Sequence, residues 1–120
     1  MTAPNMVNIT SMVGKYTNQD LAPGNAQTMI SNPANSNKVY KVNTVIVTNI
    51  DGTNAADFNM FIETSGTSKY LARSITVPAD SNLVVISKDT ALYLEEDMVL
   101  SAAAYTSGDL VCHCSWEEIE

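Results

Sequence analysis

Over most of its length this sequence alternates apolar and polar residues with a period of two, and nothing else constrains its fold as strongly. Phe58, Met60 and Ile62 alternate with Asn59, Phe61 and Glu63, and Leu71, Arg73, Ile75 and Val77 alternate with Tyr70, Ala72, Ser74 and Thr76. Met98, Leu100, Ala102 and Ala104 form a third such set, and Leu110, Cys112, Cys114 and Trp116 share one face of a fourth. Successive side chains of a strand point to opposite faces, so this pattern predicts half-buried antiparallel β-structure. No window carries the apolar spacing of an amphipathic helix.

Turn chemistry punctuates the strands at regular intervals. Asp51-Gly52-Thr53-Asn54 follows the run 39–50, Ser65-Gly66-Thr67 follows 58–64, Pro78-Ala79-Asp80-Ser81 follows 70–77, and Thr106-Ser107-Gly108-Asp109 follows 98–105. Glycine supplies positive φ in such turns, while Asp, Asn and Ser bond to nearby backbone. Weaker strands at 7–13, 26–31, 83–87 and 91–94 bring the expected total to eight or nine. The chain is 120 residues long, a length that suits one domain. The expected fold is therefore all-β: a single-domain antiparallel β-sandwich of the jelly-roll kind over residues 1–120, with a small closed barrel as the alternative. Residues 1–13 are expected to form an N-terminal strand or arm, and 14–38 a loop-rich connection containing Pro23-Gly24-Asn25 and Asn32-Pro33-Ala34-Asn35.

The charge is unevenly placed. Thirteen acids outnumber six bases, for a net charge of -7. Residues 1–94 are balanced, and the whole excess lies in residues 95–120, which hold Glu95, Glu96, Asp97, Asp109, Glu117, Glu118 and Glu120 without a lysine or arginine. Such a chain lacks the clustered cations that displace counterions from nucleic acid or dock on an anionic membrane. No stretch approaches the apolar length of a spanning helix, and the start Met1-Thr-Ala-Pro-Asn has no secretory pattern, so synthesis in the cytoplasm is expected. On a particle surface the acidic group is expected to face solvent.

Residues with chemical potential are few. His113 lies between Cys112 and Cys114, but in a strand it points away from both thiols, and the sequence has no further His or Cys to complete a metal site. The two cysteines read as small buried hydrophobes rather than a disulfide, since residues two apart on a strand stand near the outer limit for bridging. His113 sits in no nucleophile context, and neighbouring acids on a strand or turn diverge, so no catalytic residue is expected. Single turn glycines form no phosphate loop. Asp51, Asn54 and Asp57 supply oxygens close together, yet turn chemistry accounts for them without calcium. Asn8-Ile9-Thr10 is a glycosylation sequon without a secretory context. No cofactor and no metal are expected, and the chain reads as non-enzymatic.

Polar uncharged residues are abundant: 12 Asn, 12 Thr and 11 Ser. They cover contact surfaces without the desolvation cost of charge, which suits a protein that is mostly surface within an assembly. Trp116 reads as a buried anchor rather than an exposed platform for sugar.

A series of motifs runs through Ala3-Pro4-Asn5-Met6-Val7-Asn8 and residues 36–43, is densest in Thr48-Asn49-Ile50-Asp51-Gly52-Thr53-Asn54-Ala55-Ala56-Asp57, and returns at 77–80, 92–97 and 114–119. In their order and spacing the chain resembles small virion structural proteins of contractile-tailed bacteriophages that infect marine cyanobacteria and other marine bacteria. Two features depart from the family pattern: Leu94-Glu95-Glu96-Asp97 lacks the glycine often found between its acids, and the cysteines around His113 are not a family feature. The resemblance implies a non-enzymatic virion component, with a capsid-exterior decoration protein first and a neck, collar or tail component second. A host-surface carbohydrate-binding module is a third reading. The implied partners are other virion structural proteins and further copies of the chain, not nucleic acid or membrane, and the implied location is the virion. Loops and edge strands offer unpaired backbone groups, so Val7, Ile9, Val13, Tyr16, Leu21 and Met29 are the candidate assembly-contact residues.

Overall fold

In the computed structural model, which describes residues 6–21, 23, 26–105 and 109–120, nine strands build two antiparallel sheets that pack as a β-sandwich. In chain order they are β1 (Met12–Asp20), β2 (Gln27–Asn32), β3 (Val39–Asn49), β4 (Ala56–Thr64), β5 (Thr67–Val77), β6 (Asn82–Ile86), β7 (Leu92–Leu94), β8 (Met98–Ala104) and β9 (Leu110–Ile119). One sheet runs β1-β9-β3-β6, with β7 also paired to β3, and the other runs β2-β8-β4-β5.

The alternation read from the sequence places the core. Leu110, Cys112 and Cys114 of β9 face Val42, Val45 and Val47 of β3 and, from the other sheet, Phe58, Met60, Leu100 and Ala102, all essentially without solvent exposure. The inward phase of β3 changes along its length, from Tyr40 and Val42 to Val45 and Val47. A bulge causes the change: Val42 pairs with Trp116 and Thr44 with Ser115, which leaves Asn43 as the extra residue. The β4–β5 hairpin closes on Ser65 and Gly66, with φ of 49° and 86°, the positive values that match the twist of the flanking strands.

Two buried asparagines lock loops to the opposite sheet. Asn32 Nδ2 donates to the carbonyls of Lys38 and Leu94, and its Oδ1 accepts from Ser36 Oγ. Asn49 Nδ2 donates to the carbonyls of Asn54 and Val77, and its Oδ1 accepts from the Asp51 backbone N–H. Every polar atom of each amide group therefore has a partner, which is what permits its burial.

The N-terminal region differs from the sequence expectation. The first strand is not within 7–13 but spans Met12–Asp20, so Gly14–Asp20, expected as loop, is strand paired residue for residue with β9. The reason is exposure: all of β1 but Thr17 is open to solvent, so neither face demands apolar residues and no alternation marks it. Residues 27–32 form β2, close to the weak strand expected at 26–31, and place Ile30 and Asn32 inward.

Candidate functional site

β1 and the outer face it shares with β9 form one open edge of the fold. The nine residues of β1 pair with β9 in unbroken register, from Met12 opposite Ile119 to Asp20 opposite Val111, and among the described residues no strand pairs with its other side. Met12, Val13 and Tyr16 are large apolar or aromatic side chains left exposed along it, Tyr16 at 59%. Natural edge strands are usually blunted by bulges, proline or charge. The edge strand β5 carries such features: two register shifts along its pairing with β4, Ser74 at φ 51°, and the cations Lys69 and Arg73. β1 has no register shift and no proline, and its charges are Lys15, the fourth of its nine residues, and Asp20 at its end.

Tyr16 is held in place. Its hydroxyl lies 2.6 Å from His113 Nδ1 on the neighbouring strand, the two rings stack at 6.1 Å, and Asn18 Nδ2 donates to the same hydroxyl at 3.4 Å. Which of the two groups donates in this bond depends on the imidazole tautomer. His113 thus occupies the outer face, as the alternation requires, and serves to fix an exposed aromatic ring.

The six candidate contact residues divide. Val7 is 94% exposed, Val13 and Tyr16 stand on β1, and Ile9 is half-buried. Leu21 and Met29, in contrast, are core residues at 1% and 6% exposure, and they are withdrawn as contacts. Leu21 turns inward where β1 ends, its N–H donating to the carbonyl of Leu110, and Met29 is the extra residue of a bulge between Thr28 and Ile30. Asn18 and His113 belong to the surface but could not be singled out from sequence, since only the register of β1 on β9 brings them together.

The remaining candidates behave as ordinary structure. Cys112 and Cys114 are buried free thiols with their sulfurs 4.0 Å apart, and the Cys114 neighbour, then burial, pushes the Cys112 thiol up. Trp116 is half-buried against the core, and its indole N–H donates to Glu118 at 3.3 Å. The carboxylate of Asp51 accepts from the backbone N–H groups of Thr53 and Asn54, which hold its pKa below the usual carboxylate value, while Asp57 accepts from Thr76. Among the described residues no three His, Cys, Asp or Glu side chains converge as metal ligands.

The acidic group is only partly open. Glu95, Asp97 and Glu120 are exposed, whereas Glu96, Glu117 and Glu118 are half-buried. Glu117 accepts from Asn43, and Glu118 lies 3.9 Å from Lys38. Comparison with protein-family models and with curated proteins found no match to this chain.

Proposed function

We propose that this chain is a non-enzymatic structural protein of a bacteriophage virion, a decoration protein of the capsid exterior, which assembles with other virion proteins and with further copies of itself. The observation that carries the reading is the regular edge of β1, nine residues long without bulge or proline, exposed on both faces and carrying Met12, Val13 and Tyr16. A strand of a neighbouring subunit can add to such an edge by backbone hydrogen bonds, with the exposed side chains giving register. A weak contact of this kind becomes durable when it is repeated across a lattice. The resemblance of residues 48–57 and 114–119 to phage virion proteins supports the same reading, as does the wealth of Asn, Thr and Ser. The test is stoichiometry by quantitative mass spectrometry of purified particles. On the order of hundreds of copies per particle is expected, and about six or twelve copies would instead favour a ring at the neck or tail.

A further inference from the structure

A second surface lies on the outer face of the other sheet. There the register sets Ser101 of β8, Phe61 of β4 and Tyr70 of β5 in one row, with Ala103 and Asn59 in the next. The side chains on β8 are small and those on β4 and β5 are large, so the surface dips over β8. Two adjoining clefts result, about 460 and 160 Å³, which share Ala26 and Phe61.

Aromatic rings border this dip. Phe61 packs on Tyr70 with centroids 4.7 Å apart, and Tyr105, 61% exposed, stands at the far end, its backbone N–H bonded to the carbonyl of Asp57. Asn59, Ser68, Ser101 and Glu63 line the clefts, and the Arg73 guanidinium stands outside them, 5.2 Å over the Tyr70 ring. Asn59 is the telling residue. It is only 8% exposed, its Oδ1 accepts from the Ser74 backbone N–H at 2.8 Å, and its Nδ2 has no hydrogen-bond partner among the described residues. That Nδ2 is not sealed from solvent, and as a donor on the cleft wall it is open to an acceptor that enters the cleft.

We propose that this groove binds a neutral saccharide, one sugar ring lying against Tyr105 with a hydroxyl accepting from Asn59 Nδ2. A pyranose has a face of C–H groups and a rim of hydroxyls. The C–H face suits the negative face of an aromatic ring, and the rim needs uncharged or carboxylate partners of the kind found here. Glu63, bonded to Ser68 at 3.4 Å, repels an anionic sugar. Trp116 is on the other sheet and has no part in this site. The inference is independent of a place on the virion.

The test is a titration of the full chain with cellotetraose, maltotetraose and chitotetraose, followed by amide NMR. At least one sugar is expected to shift the resonances of Asn59, Ser101 and Ala103, and Tyr105→Ala to weaken that binding about tenfold. Tyr105 is exposed, so this variant keeps its fold, and Trp116→Phe is expected to bind normally. No shift with any of the sugars, shifts centred elsewhere, or undiminished binding by Tyr105→Ala would overturn the proposal. So would equal binding of tetragalacturonate, or a response to the peptide Ala-Trp-Ala and to no sugar.

Discussion

Asn32 Nδ2 donates to the carbonyl of Leu94 at 3.0 Å, and so ties β2 of one sheet to β7 of the other through a side chain that solvent does not reach. Asn49 repeats the arrangement with Val77. Truncation of either to alanine leaves buried carbonyls without a donor. Asn32→Ala and Asn49→Ala are each expected to lose about 2–4 kcal/mol in urea unfolding. A loss below about 0.5 kcal/mol would mean that water replaces the amide.

Tyr40 gives the fold an alkaline limit. Burial, followed by the charge of Glu118 and the hydrogen bond to it, raises the phenol above its ordinary 10.0. A raised acid stabilises the folded chain fully below the unfolded value, and that contribution is lost as pH rises through the folded value. Stability is therefore expected to fall above about pH 10, and Tyr40→Phe to show a shallower fall. Parallel curves from about pH 8 to about pH 12 for the two proteins would remove Tyr40 as the cause.

Cys112 and Cys114 are expected to be silent in the native protein. Both thiols are buried, and Cys112 is disfavoured as thiolate by its neighbour and by burial. Ellman's reagent should therefore react at the rate of unfolding, and should release two equivalents in strong denaturant. Rapid labelling of the native chain would place at least one sulfur at the surface.

The proposed contact edge can be blunted without harm to the fold. Val13 and Tyr16 are exposed, so lysines at both positions should change stability by no more than about 1 kcal/mol. They introduce the like charges that natural edges use to prevent pairing. The double variant is expected to fold and to lose particle association, whereas lysines at Thr67 and Leu71 of β5 leave association intact. Full occupancy of particles by the Val13→Lys, Tyr16→Lys chain would eliminate β1 as the contact.

What sequence revealed follows from which strands have one covered face. β4, β8 and β9 lie inside their sheets with one side on the core, so Phe58, Met60, Leu100, Ala102, Cys112 and Cys114 mark them by strict alternation. β1 has both faces open, so Gly14–Asp20 resembles a loop in composition and only the ladder with β9 reveals it. The phase change at Asn43 and the extra residue Met29 are bulges, set by partner strands rather than by local sequence. The groove was illegible for a related reason. Asn59, Phe61, Ala103 and Tyr105 point outward, where alternation predicts only polarity, and they meet because β4 and β8 are neighbours.

The partnership of β1 with β9 also bears on the order of events during folding. β9 supplies the ladder for both β1 and β3, and β2 likewise waits for β8. Most pairings in this chain thus join segments far apart in sequence, and each must meet the entropy of closing a long loop before its hydrogen bonds can repay it. A ribosome that has made only residues 1–100 has made β1 and β3 without the strand that lies between them. The sheet that contains β9 is therefore completed last, and until Leu110–Ile119 is in place one edge of the long apolar strand β3 remains open to any other strand it meets.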